Sequence, residues 1–177
     1  MSLKNKDQRV AIFIDVQNLY HSAKNLHQSR VNFREIVKTA VAGRKLIRAF
    51  AYVVRTKTGE EKPFFDALTN LGIETRVKDL QEYYGGLKKA DWDVGIAVDA
   101  IKTSSSVDTI VLVSGDGDYV PLVEYLQNHG KRVEAMAFGK STSSRLREAV
   151  DEFIDLEEAD EKYLLKKSRW PLKIPHP

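Results

Sequence analysis

The sequence predicts an α/β protein of three layers, with helices on both faces of a mostly parallel central sheet. Three observations carry that prediction. Short, largely apolar runs recur at Val10 to Ile14, Leu46 to Val54, Thr109 to Val113 and Val133 to Phe138, as strands buried on both faces require. Segments of helical spacing separate them, so strand and helix alternate, which implies parallel strands joined by right-handed crossovers. Acids and glycines stand directly after two of the runs, where an open parallel sheet binds its ligands.

Taken in order, residues 1–9 are a polar, flexible lead-in. The first strand, Val10 to Ile14, delivers Asp15, which can cap a helix from Val16 to Leu26. Asn32 caps a second helix to Val41, with Phe33, Ile36, Val37 and Ala40 on one face and Gly43 closing it. Leu46 to Val54 is the next strand. A charged loop leads to Pro63, which opens a helix carrying Phe64, Phe65, Leu68 and Leu71 as far as Gly72. Ile73 to Val77 is a short strand. Tyr83 to Lys89 is irregular, with two tyrosines, two glycines and two lysines. Ala90 to Thr103 reads as a helix with Asp91 as its cap and Asp93 in its first turn. Thr109 to Val113 is the central strand, and Val120 to Leu126 a helix with Pro121 near its start. Val133 to Phe138, a helix capped by Ser143, and a last strand over Phe153 to Leu156 complete the domain. The domain is expected over 10–160, with a basic tail over 161–177 that begins as a terminal helix.

Composition removes several function classes. The chain of 177 residues has no cysteine, which excludes a disulfide framework, a thiol nucleophile and cysteine-held zinc or iron–sulfur centres. That usage fits a reducing compartment, and a cytoplasmic location is expected. No signal peptide is visible and no apolar run approaches the roughly 20 residues of a membrane span, so no membrane partner is expected. The net charge of +3 points to a polyanionic partner only if lysines and arginines ring the same rim as the acids.

The densest chemistry lies in Ser114-Gly115-Asp116-Gly117-Asp118-Tyr119. Read alone, it is a turn as readily as a metal site. Asp15 and Asp93 tip the balance, because acids delivered to one edge repel one another unless a cation neutralises them. Oxygen ligands without cysteine or a convergent histidine favour Mg²⁺ or Mn²⁺, ions that also bind phosphate oxygens. Asn18, one helical turn after Asp15, can point the same way. Phosphate-loop readings fail: the glycine required before Gly139-Lys140-Ser141 falls on Glu134, and the third glycine after Gly115-x-Gly117 falls on Val120. The histidines follow no strand, which leaves a serine triad without support. An aspartyl phosphotransferase reading lacks its second acid, since position 17 is Gln.

The residues carry a resemblance. Phe13-Ile14-Asp15-Val16-Gln17-Asn18, Lys89 to Ala100, Val113 to Tyr119, and the late segment Ser144-Arg145-Leu146 to Asp151-Glu152-Phe153-Ile154 resemble the NYN domain. Their order and spacing over about residues 10–156 place the chain with the LabA-like branch of the PIN-like nuclease superfamily. The resemblance implies a PIN-like sheet and a Mg²⁺- or Mn²⁺-dependent ribonuclease site. By position, Asp15, Asp93, Asp116 and Asp118 would form the acidic cluster and hold metal. Asn18 would orient a metal-bound water or ligand, and Ser114 would hold the turn or contact phosphate. Asp99 matches the family pattern, yet on a helix it faces about 120° away from Asp93 and ranks second. Many PIN nucleases carry a glutamate on an intermediate helix, for which Glu35 and Glu61 are the candidates here.

Two functions are thus expected. The first is a metal-dependent ribonuclease acting on single-stranded or structured RNA. Lys89, Lys140 and Arg145 would guide the backbone, and Tyr20 or Tyr119 would stack a base or simply pack. The alternative is a non-catalytic RNA-binding or regulatory protein on the same fold. Trp170 in the basic tail offers a contact for a second copy of the chain, a homodimer.

Overall fold

Six strands form one parallel sheet in the order β4-β3-β1-β7-β8-β9. The computed structural model describes residues 4–82 and 88–165, without the side chains of 82, 88 and 89. Within it the sheet strands are β1 (Arg9–Asp15), β3 (Lys45–Arg55), β4 (Glu74–Asp79), β7 (Thr109–Val113), β8 (Arg132–Ala137) and β9 (Glu152–Asp155). The helices are α1 (Val16–His27), α2 (Phe33–Val41), α3 (Lys62–Asn70), α4 (Asp93–Ser104), α5 (Val120–Asn128), α6 (Ser144–Ala149) and the short α7 (Asp160–Tyr163). Two small antiparallel pairs lie outside the sheet: β2 (Arg30–Val31) with β10 (Leu164–Leu165), and β5 (Gln81–Glu82) with β6 (Lys88–Lys89). The parallel α/β architecture is as the sequence predicts.

Strand β1 is central, paired in parallel to β3 on one side and β7 on the other. Its side chains alternate between two cores. Val10, Ile12 and Ile14 join Leu19, Ala23, Ile36 and Leu68 from α1, α2 and α3. Ala11 and Phe13 join Phe50, Tyr52, Leu112, Ile96, Val123 and Leu146, which brings α4, α5 and α6 onto the opposite face. Phe13 stacks on Phe50 at 5.3 Å between ring centres. Each such fully buried side chain stabilises the fold by about 1.5–3 kcal/mol before entropy is counted.

The amino-terminal edge of the sheet is tied by ion pairs. Arg9 at the start of β1 grips Asp108 ahead of β7 at 2.7 Å. Glu134, fully buried on β8, receives both guanidinium arms of Arg44 at 2.9 and 2.8 Å and the Nε of Arg132 at 2.9 Å.

Several boundaries differ from expectation. Helix α4 starts at Asp93, not Ala90, and Asp91 does not cap it. The three preceding residues are non-helical; Lys78 Nζ takes the Asp91 carbonyl at 2.7 Å and Trp92 Nε1 takes that of Val53 at 3.0 Å. Helix α2 is closed by Ala42 in the left-handed region at φ 49°, with Gly43 following at φ 74°. The expected terminal helix is instead α7 followed by β10, whose pairing with β2 uses the backbone groups a helix would need. Residues 83–87 and 166–177, with the expected loop tyrosines and Trp170, lie outside the described residues.

Candidate active site

The carboxyl-terminal edge of the sheet gathers the acids. Strand β1 ends in Asp15 and β7 runs into the 114–119 turn, adjacent because β1 and β7 pair. Helix α4 packs against β1, β7 and that turn, which sets Asp93 over it. One carboxylate oxygen from each of Asp93, Asp116 and Asp118 lies within 4.8 Å of the other two. Asp93 and Asp116 are half-buried and Asp118 is exposed. Among the described residues, no lysine, arginine or histidine forms an ion pair with any of these three or with Asp15.

Asp15 stands behind the triad and outside it. Its Oδ1 caps α1 by accepting the Asn18 N–H at 3.1 Å. Its Oδ2 lies 3.4 Å from Ser114 Oγ and 3.3 Å from the Tyr119 hydroxyl. The same hydroxyl is 3.1 Å from Asp93 Oδ1. A phenol has one proton to donate, so two carboxylate oxygens compete for it. Burial, aided by the Asp93 and Asp116 charges and opposed by the cap bond and the Tyr119 hydroxyl, raises the Asp15 carboxyl to about 6. Burial raises Asp93 as well, opposed by the Tyr119 hydrogen bond and reinforced by Asp116. Burial and then the charges of Asp15 and Asp93 lift the Tyr119 phenol far above its ordinary range.

The turn is built by its own side chains. Ser114, 2% exposed, accepts the Asp116 N–H at 3.2 Å. Asp116 Oδ1 in turn accepts the Asp118 N–H at 2.9 Å, starting the single 3₁₀ turn Gly117–Tyr119. Asn18 Oδ1 accepts the Gly115 N–H at 2.9 Å, which fastens α1 to the turn. The two glycines do not take left-handed conformations. They admit the strap at 142–143: a Cβ on Gly115 would stand 2.7 Å from Thr142 Oγ1, and one on Gly117 would stand 2.6 Å from Ser143 Oγ. That strap leads into α6.

The predicted residues therefore separate. Asp93, Asp116 and Asp118 converge, with Asp15 one hydrogen bond behind. Asn18 and Ser114 sit in the frame. Asp99 is elsewhere, accepting the Tyr52 hydroxyl at 2.8 Å with Arg76 at 3.6 Å. Lys140 lies 3.6 Å from Glu157, and Arg145 is exposed on the first turn of α6. The side chain of Lys89 is outside the described residues. Neither candidate glutamate reaches the cluster: Glu61 is buried against Thr56, and Glu35 lies near Lys162. Tyr119 is 3% exposed, which rules out base stacking and makes it the hydroxyl shared by two acids. Its position beside the turn gave the only sequence signal for that role. Lys78, 4.5 Å over the Trp92 ring, was not anticipated either.

An uncompensated carboxylate triad at the carboxyl edge of an α/β sheet is an arrangement that could hold a divalent cation. The NYN domain family model matches residues 9–157, and the chain belongs to that family. It is 29% identical over 160 residues to the low amplitude and bright protein LabA of Synechococcus elongatus, covering 85% of each chain. It is 25% identical to the uncharacterized protein MJ0482 of Methanocaldococcus jannaschii over 86% of this chain and 57% of that one. A protein of unknown function from Vibrio parahaemolyticus, VPA0982, has the same fold with a TM-score of 0.82 and 31% identity, over 93% of this chain and all of its own.

Proposed function

We propose that the protein is a divalent-metal-dependent ribonuclease. The observation that carries the reading is the approach of three carboxylates within 4.8 Å with no cationic partner among the described residues. Such crowding is unfavourable unless a cation offsets it. The donor set is all oxygen, which fits Mg²⁺ or Mn²⁺. Asp93, Asp116 and Asp118 would hold the ion. A divalent ion there lowers the pKa of a bound water and draws phosphate oxygens.

The chain's own residues prepare that site. Ser114 and Asn18 fix the turn so that Asp116 and Asp118 face Asp93 without reorganisation. Asp15 adds negative charge behind them and holds Tyr119 in place. Arg145, exposed on the helix that the 142–143 strap seats beside the turn, would meet a phosphate of RNA.

The test is cleavage of single-stranded RNA with Mn²⁺ by the wild type and Asp116→Asn. The reading expects cleavage to fall at least a hundredfold in the variant. Equal cleavage by both removes the chemistry. A second reading, a non-catalytic RNA-binding module, draws on the position of Glu35 and Glu61 away from the acids. It expects RNA binding that Mn²⁺ and Asp116→Asn leave unchanged.

A further inference from the structure

Helix α4 turns an apolar stripe to solvent. Its inward positions are Ile96, Ala100 and Thr103, which are buried. At about 100° per residue, Val94, Val98 and Ile101 fall within about 60° of one another on the opposite side. They are 74%, 42% and 39% exposed. Nine large hydrophobic side chains are exposed among the described residues, and three of them stand on this one helix. Scattered apolar side chains on a surface are ordinary, whereas a stripe at helical spacing is the pattern of a helix that packs on another.

Helix α5 widens the stripe. Side chains two residues apart on a helix point about 200° apart. Asp99 bonds Tyr52 on β3, so Ala97 and Ile101 lie on the other flank of α4, toward α5, which packs beside it. Gln127 bonds the Ala149 carbonyl of α6, so Tyr125 lies on the flank of α5 that faces α4. Tyr125 is 41% exposed and stacks on His129 at 4.1 Å between ring centres.

The charges at the two ends of the stripe say what fits it. Between Val94 and Ile101 the outward position, Val98, carries none. Asp91 is exposed just before the helix, and Lys102 is exposed in its last turn. A helix with an acid at its start, a base near its end and apolar positions between them complements an antiparallel copy of itself, and the opposed helix dipoles add to the fit.

We propose that the α4–α5 face is where two copies of this chain associate, with α4 packed antiparallel on α4 about a two-fold axis. Val94 of each copy then meets Ile101 of the other, Val98 stands beside the axis, and Lys102 of each copy pairs with Asp91 of the other. Two helices a side make a small interface, so a dissociation constant of about 10–100 µM is expected. This inference is independent of the ribonuclease reading.

Sedimentation equilibrium of the full chain tests it. The apparent mass should rise from the monomer toward twice that value between about 1 and 500 µM. Val98→Glu, at an exposed position where circular dichroism should report an unchanged fold, is expected to weaken association at least about tenfold. Lys102→Asp and Asp91→Lys should each weaken it about threefold or more, because each sets like charges against one another at both ends of the interface. An equimolar mixture of those two variants should restore association, since every mixed pair has opposite charges at both ends. A wild type that stays monomeric to about 500 µM overturns the proposal, as does association that Val98→Glu leaves unchanged. Charge variants without effect, or not restored by mixing, overturn the antiparallel pairing.

Discussion

The two edges of the sheet treat buried acid in opposite ways. At the amino-terminal edge, Glu134 is fully buried and takes three hydrogen bonds from Arg44 and Arg132. At the carboxyl-terminal edge, Asp15 and the triad share one phenol and a few backbone N–H groups, with no cation among the described residues. The fold therefore has arginines at hand and places two of them around the buried Glu134. The crowded edge is thus left without a counter-charge, as the proposed cation site requires.

Arg44→Met strikes the compensated edge and gives the largest expected effect. It strips Glu134 of two hydrogen bonds, and breaking a buried pair costs about 3 kcal/mol or more. Urea unfolding should show that loss at neutral pH. Milder destabilisation would mean that Arg132 and Lys4 suffice for Glu134, and the contrast between the edges would shrink.

Asp15→Asn strikes the other edge with the opposite sign. The folded Asp15 carboxyl is raised from 3.8 to about 6, so the folded state binds more protons between those values. Stability attributable to this group is present below about pH 4 and lost as pH rises past 6. In chelator, Asn should stabilise the protein at pH 7.5 by about 2 kcal/mol and change little at pH 4. Asn retains a side-chain oxygen for the cap on α1. Unfolding curves at the two pH values check the sign, and a loss of stability at pH 7.5 would show that the acid is not strained there.

Gly115→Ala pushes a methyl against Thr142, whose backbone Cα lies 3.1 Å from the built Cβ. A cost of about 1–2 kcal/mol is expected from such overpacking, together with a weaker site. Tyr119→Phe removes the shared proton donor and should cost about 1 kcal/mol in chelator. Asp99→Asn has the smallest effect, below about 1 kcal/mol, because its ion pair with Arg76 is partly exposed and the Tyr52 acceptor survives. RNA cleavage should be unchanged in Asp99→Asn, and a strong loss there would move the site toward α4's other side.

Much of this arrangement was legible in the chain. The strand runs, the helices and the acids at strand ends announce themselves through periodicity and position. What stayed hidden depends on distance in space. Nothing local links Arg44 to Glu134, 90 residues apart. Helix α4 begins late because Lys78 and Val53, on other strands, take up the groups around Asp91 and Trp92. Gly115 and Gly117 read as turn formers, whereas their lack of a side chain lets Thr142 and Ser143 pack against the turn. Asp99 could be set apart from Asp93 by helical geometry alone, and its partners on β3 and β4 explain what it does instead.

The carboxylates of the carboxyl edge are proposed to await a divalent ion. Calorimetric titration of the metal-free protein with Mn²⁺ at pH 7.5 measures that directly. The account predicts saturable binding by the wild type and at least tenfold weaker binding by Asp118→Asn, an exposed position where the fold has little to lose. Absence of binding by the wild type at millimolar Mn²⁺, or equal affinity in the two proteins, would contradict it.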